Sequence, residues 1–185
     1  MYNFVRMKDP STLIGLEEAV QVIQTLLGGD DEEIEGKVFG LGPSPGLMFG
    51  PRRSVPVHFG THGRKGIRLA VRIADGIRVA GQWATGYMEQ VRGWVEEAAA
   101  EYDRDLSQFE LITENWTYLH TDRELARREA RRLVANFLPH LGPRLGFYKI
   151  SQDEVDAAHA ASVHGDTDAL SRIRDDTIDL FMSAG

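Results

Sequence analysis

Residues 55–81 read VPVHFGTHGRKGIRLAVRIADGIRVAG, and their pattern changes period twice. Val55, Val57 and Phe59 alternate with Pro56 and His58, the spacing of a strand. Gly60-Thr61-His62-Gly63 breaks that spacing. From Arg64 onward, Ile67, Ala70, Val71 and Ala74 recur at three and four residues, which predicts a helix. Asp75-Gly76 stops the helix, and Ile77-Arg78-Val79-Ala80 reads as a second strand. A strand, a short glycine turn, a helix and another strand make a βαβ unit with parallel strands.

The turn is the first candidate site. Gly60 and Gly63 permit a sharp bend and a close approach to the backbone. The start of the next helix exposes unpaired N–H groups and the positive end of its dipole. Thr61, His62, Arg64 and Lys65 add polar and cationic groups. Two readings of this spacing stay open: a phosphate cradle, or a tight turn whose glycines serve geometry alone, since G-x-x-G by itself is a weak signal.

Upstream, Asp9-Pro10-Ser11-Thr12 is a helix start. A helix follows from Leu13 to Leu27, with Leu16, Ala19, Val20, Ile23, Leu26 and Leu27 expected on its inner face. Gly28-Gly29 ends it. The acidic run from Asp30 to Glu35 reads as a solvated loop, because no metal-ligand spacing is visible. Residues 34–38 allow a small hairpin around Glu35-Gly36, and Gly40 to Arg53 reads as loop.

Downstream, Gln82 and Trp83 form the loop after the second strand, and a helix spans Thr85 to Tyr102. Phe109 to Leu119 predicts a third strand with polar Glu114 and Asn115 inside it. An inward polar group needs a partner or a ligand. Helices are expected over Arg123–Leu138, Ser151–Val163 and Asp166–Met182. Ser151 with Glu154 has capping-box spacing, and the arginines of the first of these helices have acidic neighbours within helical reach.

Bulk properties bound the function. The chain has 185 residues, a net charge of −7 and no cysteine. That excludes a disulfide framework, a thiol nucleophile and a thiolate metal site, and argues against a general nucleic-acid or anionic-membrane binder. No apolar run reaches the roughly 18 residues of a membrane span. No signal-peptide core opens the chain, so a cytoplasmic location is expected. His58 and His62 lie four apart across the strand–turn junction, too far for joint ligation on an extended strand. No H-E-x-x-H motif and no G-x-G-x-x-G fingerprint is present, and Ser44, set between two prolines in Gly42-Pro43-Ser44-Pro45-Gly46, is not read as a nucleophile elbow. No metal is expected.

VPVHFGTHG, a helix and then ADGIRVAG together resemble the middle of the luciferase-like monooxygenase superfamily, a likeness that runs from about Gly15 to the end of the chain. The resemblance implies a (β/α)8 barrel that uses flavin mononucleotide (FMN) or the deazaflavin coenzyme F420. It implies an α/β fold of about three parallel strands with flanking helices and a helical C-terminal segment. It further implies one domain over 1–185, the C-terminal half of a barrel that lacks its first four strands and its last. In the family the turn lies against the phosphate-bearing tail of the cofactor, which implies cofactor-binding roles for Gly60, Thr61, His62, Gly63 and Arg64. In a barrel the C-terminal strand ends face the active site, which places Gln82, Trp83 and Glu114 at the ring or substrate. The methylenetetrahydromethanopterin reductase branch fits best, implying F420-dependent hydride transfer to a small organic substrate. An FMN monooxygenase using oxygen, and a truncated flavin-binding or assembly protein without catalysis, are the alternatives. The family's catalytic groups come largely from its first strands, so no catalytic residue is assigned. Open sheet edges predict a homo-oligomer, a dimer being the simplest.

Overall fold

The computed structural model describes residues 5–7, 12–29, 32–43, 47, 55–80 and 84–184. The chain forms two compact units. The first comprises 1–78 and 94–112, and the second 79–93 and 113–185.

The predicted βαβ unit organises the first unit. Strand β4 is His58–Gly60, helix α2 is Arg64–Ile73 and strand β5 is Gly76–Val79. β4 and β5 pair in parallel, His58 opposite Gly76 and Gly60 opposite Arg78. β6, Glu110–Thr113, continues the sheet on the far side of β5. Burial alternates as a pleat requires: Phe59, Ile77 and Val79 are buried, whereas Gly60 and Arg78 are exposed. α2 buries Ile67, Ala70 and Val71 completely, Ile67 and Val71 each contributing roughly 1.5–3 kcal/mol by leaving water.

The tripeptide Ala74-Asp75-Gly76 joins all three strands. The Asp75 carboxylate accepts the Val57 N–H at 2.7 Å. Asp75 N–H donates to Val57 O at 2.9 Å, and Asp75 O accepts Glu110 N–H at 3.0 Å. Gly76 is there for space. A Cβ on it would lie 2.4 Å from Glu110 O and 2.5 Å from the His58 ring. Arg104 closes the end of α2 by donating to Val71 O and Ala74 O, both at 2.7 Å, two of the carbonyls a helix end leaves unpaired.

Helix α1, Thr12–Gly28, falls in sequence between the first two strands of a small antiparallel sheet of β1 (Val5–Met7), β3 (Phe39–Leu41) and β2 (Ile34–Glu35), in the order β1-β3-β2. The expected hairpin forms, with Ile34 opposite Leu41. Its second strand reaches Leu41, into the stretch read as loop. A carboxylate holds it: Glu18 of α1 accepts the N–H groups of Lys37, Val38 and Phe39 at 2.7, 2.7 and 2.9 Å. A Cβ on Gly36 would lie 2.0 Å from Phe39 O and 2.6 Å from the Glu18 carboxyl carbon, so glycine alone lets the turn close on that carboxylate. The inner face of α1 differs from expectation. Val20 and Val22 are buried at 4% exposure, but Leu16 and Ile23 remain 40% and 42% exposed.

Helix α3, Thr85–Tyr102, runs from residues of the second unit into the first. The second unit is mainly helical. It contains β7 (Trp116–Tyr118), α4 (Arg123–Phe137), 3-10 turns at Leu138–His140 and Gly142–Phe147, and α5 (Gln152–His164). A 3-10 turn at Thr167–Arg172, α6 (Asp175–Asp179) and β8 (Met182–Ala184) complete it. Trp116, Phe137, Phe181 and Tyr148 pack in series, with successive ring centroids 4.9, 5.8 and 4.7 Å apart. Asp122 caps α4 by accepting from Glu124 and Leu125 N–H. Of the arginines expected to pair along α4, Arg128 and Arg132 meet Glu129. Arg127 and Arg131 instead reach Asp179 and Asp175 of α6.

Two expected elements differ. The third strand is interrupted at Glu114-Asn115, giving β6 and β7. The helix expected over Asp166–Met182 is a 3-10 turn, a short helix and a strand, because Met182–Ala184 pairs in parallel with β7. Asn115 Nδ2 donates to Ser183 Oγ at 3.1 Å across that pair, so a polar group read as needing a ligand has a protein partner.

Candidate functional site

Gly60, Thr61, His62, Gly63 and Arg64 lie together where β4 passes into α2. Gly63 is the N-cap, with extended backbone at φ −106° and ψ 147°, and no side chain caps the helix. The Gly63 carbonyl accepts the Ile67 N–H at 2.9 Å, leaving the N–H groups of the first turn without intrahelical acceptors. These donors and the helix dipole favour an anion.

The two glycines are not required by the protein's own packing. A Cβ on Gly60 or Gly63 would meet no described atom within 4 Å, and neither glycine has positive φ. Geometry alone therefore does not account for them, whereas a ligand lying against the backbone would. Gly66 is different: a Cβ there would lie 2.1 Å from Thr61 Oγ1. The missing side chain lets Thr61 fold over the first turn of α2, and Thr61 N–H donates to Arg78 O at 3.4 Å. His62 is exposed. The Arg64 backbone N–H belongs to the turn, but its guanidinium reaches α3 and donates to Glu97 at 2.7 Å. The side chain of Arg64 is thus drawn into an outer groove of about 370 Å³, lined also by Lys65, Arg68, Trp94 and Glu101.

One residue pair further down β4, on the same face as Gly60, His58 Nε2 lies 2.8 Å from Glu110 Oε2. The pair spans the space that Gly76 leaves open. Sequence reasoning missed Gly66, Gly76 and this pair. The A-D-G tripeptide marks Gly76, but nothing local marks the partners that crowd it. Glu114 lies in the second unit, half-buried between β6 and β7. Gln82 and Trp83 fall outside the described residues. No group of three or more His, Asp or Glu side chains is placed to hold a metal among the described residues, and no described helix is long and apolar enough to cross a membrane.

The sequence model of the luciferase-like monooxygenase family matches residues 3–180. This chain belongs to that family. It is 26% identical over 176 residues to the 5,10-methylenetetrahydromethanopterin reductase of Archaeoglobus fulgidus, a match covering 92% of this chain and 52% of the relative. An F420-dependent glucose-6-phosphate dehydrogenase of Nakamurella multipartita is 28% identical over 117 residues, covering 63% and 34% respectively. The structure of the coenzyme F420-dependent tetrahydromethanopterin reductase from Methanopyrus kandleri superposes with a TM-score of 0.74 at 24% identity, over 96% of this chain and 52% of that one. An F420-dependent secondary alcohol dehydrogenase in complex with an F420-acetone adduct superposes with a TM-score of 0.64 at 24% identity, over 96% and 50%. These likenesses place the α/β fold, with its parallel strands and outer helices, among partial (β/α)8 barrels. The chain spans about half the length of the Archaeoglobus fulgidus reductase it matches.

Proposed function

We propose that the chain is the cofactor-tail-binding half of a coenzyme F420-dependent oxidoreductase, acting on a small organic substrate. The observation that carries this is the pair of glycines at the uncapped start of α2, whose Cβ positions are open and whose backbone is unstrained. The relatives favour F420 over FMN: one is a methylenetetrahydromethanopterin reductase and another an F420-dependent glucose-6-phosphate dehydrogenase. The N–H groups of the first turn would hold a phosphate, with Gly60 and Gly63 admitting it and Thr61 and His62 beside it. Arg64 contributes its backbone. Gln82, Trp83 and Glu114 are proposed for the ring and substrate side. Bound there, the coenzyme supplies hydride chemistry toward a carbon of the acceptor, and this chain's own residues bind and orient it.

The test is a fluorescence titration with F420. Gly60→Val and Gly63→Val are each expected to weaken binding at least tenfold, because the added side chain fills the anion's approach. Unchanged affinity in both variants sinks the cradle. A second reading follows from the half-length match: a shortened family member that binds coenzyme without catalysis. Tight F420 binding with no turnover of the reduced coenzyme, across a panel of small alcohols and aldehydes, favours it.

A further inference from the structure

The side of α2 turned away from the sheet is lined with cations. Ile67, Ala70 and Val71 are buried, whereas Arg64, Lys65, Arg68 and Arg72 are exposed. The three arginines are matched one to one. Arg64 donates to Glu97 at 2.7 Å, Arg68 pairs with Glu101, and Arg72 pairs with Glu17 at 2.6 Å. Arg68 also lies over the Tyr102 ring, 5.4 Å from its centroid. Lys65 has no hydrogen-bond or ion-pair partner among the described residues.

Lys65 and Arg68 stand on the ridge between two clefts of the first unit. The groove of about 370 Å³ between α2 and α3 lies on one side, with Trp94 and Ala98 in its lining. On the other side, between α1 and α2, is a second cleft of about 290 Å³ that takes in Leu13, Ile14, Leu69 and Tyr102. Leu13 and Ile14 are 39% and 42% exposed there, and Leu69 is buried. A single exposed lysine or leucine carries no message. Here a concave space brings an unmatched ammonium and an open aliphatic wall together, the mixture of apolar lining and one placed polar group that small-molecule sites show.

Charge selects the occupant. Arg64, Lys65, Arg68 and Arg72 face Glu17, Glu97 and Glu101 across the two clefts. The surplus is one positive charge, and it sits on Lys65. A monoanion completes it. A polyphosphate or a polyacidic peptide would bring further negative charge against the three carboxylates. A neutral apolar body would cover the ammonium without giving it a partner.

We infer that the cleft between α1 and α2 binds an organic monocarboxylate. Its carboxylate accepts from Lys65 Nζ, and its aliphatic body lies against Leu13, Ile14 and Leu69. The site uses the outer side of α2 and the Lys65 side chain, so it depends neither on the glycine turn nor on the coenzyme.

The probe is octanoate, titrated into the full 185-residue chain and followed by calorimetry and methyl NMR. Saturable binding is expected, with shifts at the Leu13 and Ile14 methyl groups. Lys65→Met is expected to weaken it by roughly tenfold or more, and Lys65→Arg to retain it. Octanol, the same body without the charge, is expected to bind the parent more weakly by a similar factor, and octyl phosphate, with its second negative charge, more weakly than octanoate. Both lysine variants are expected to melt with the parent, because Lys65 is exposed and unpaired. Four results would overturn the inference. The first is an absence of saturable binding. The second is equal affinity for octanoate and octanol, or of parent and Lys65→Met, which means apolar adsorption alone. The third is shifts confined to the Gly60 and Gly63 amides, which assign the carboxylate to the turn. The last is tighter binding of octyl phosphate, which replaces the carboxylate with a phosphate.

Discussion

Glu154 is the best place to test whether the second unit is held by a buried charge. Its side chain is 1% exposed, yet it is surrounded by donors. Thr177 Oγ1 donates at 2.5 Å, Arg174 N–H at 3.1 Å, Arg174 Nε at 3.2 Å, and Ser151 Oγ and N–H at 2.9 and 3.2 Å. Burial pushes the carboxyl pKa up. The bonds from Thr177, Arg174 and Ser151 outweigh it and bring the pKa from 4.5 down to about 2. At about 1.4 kcal/mol per pKa unit, that lowering corresponds to about 3 kcal/mol of stability. Because the folded value is depressed, this stability is fully present above pH 4.5 and is lost as pH falls toward 2. Glu154→Gln keeps the shape but removes the charge and turns a donor toward donors. It is expected to cost about 3 kcal/mol at pH 7, and the gap from the parent should shrink steadily between pH 4.5 and 2. Urea unfolding measures this through Trp116 fluorescence, in a Trp83→Phe/Trp94→Phe background. Comparing variant with parent at each pH cancels the other carboxylates. A gap that is the same at pH 7 and pH 2, or one below about 1 kcal/mol at pH 7, would refute the reasoning.

Two more predictions concern the first unit. Gly76→Ala drives a methyl group into the Glu110 backbone oxygen and the His58 ring; overpacking of this kind should lower the melting temperature by roughly 5 °C, and an unchanged calorimetric midpoint would mean the strands separate freely there. In Glu18, the backbone N–H of Phe39, helped by those of Lys37 and Val38, holds the carboxyl below its ordinary value of 4.5 despite opposing desolvation. The hairpin latch is therefore complete above pH 4.5 and lost only in more acid solution. The Lys37, Val38 and Phe39 amide resonances should titrate together below that pH in the parent and not at all in Glu18→Gln; independent midpoints for the three would dissolve the latch.

How far the sequence foretold this depends on where each signal lies. The βαβ unit was legible because its period switches within a few residues, at Gly60–Gly63 and again at Asp75-Gly76. The Ser151–Glu154 capping box was legible for the same reason, and it forms with both of its bonds. Its other half was not, since Arg174 and Thr177 come to Glu154 from a later turn of the chain. α1 shows why periodicity stops short. It locates an apolar stripe but not what covers it, so Leu16 and Ile23 look like core and stand exposed. β8 was hidden because three residues carry no strand period of their own. Phe181 and Met182 extend an apolar helix pattern, and only pairing with Trp116–Tyr118 makes Met182–Ala184 a strand. The glycine turn was legible as a candidate from its spacing. The empty space at the Cβ positions of Gly60 and Gly63 is not encoded by any linear pattern.

The chain leaves its first unit after Arg78, returns at Trp94 and leaves again after Ile112. Neither unit is thus a contiguous stretch of gene. A stop codon after Ile112 would leave the first unit encoded whole and strip the second to residues 79–93, whereas no stretch of gene encodes the second unit without passing through residues 94–112 of the first. The same weave sets an order for synthesis. Glu110, whose amide completes the junction at Asp75, leaves the ribosome after residues 79–93 and before residues 113–185, the bulk of the second unit, exist.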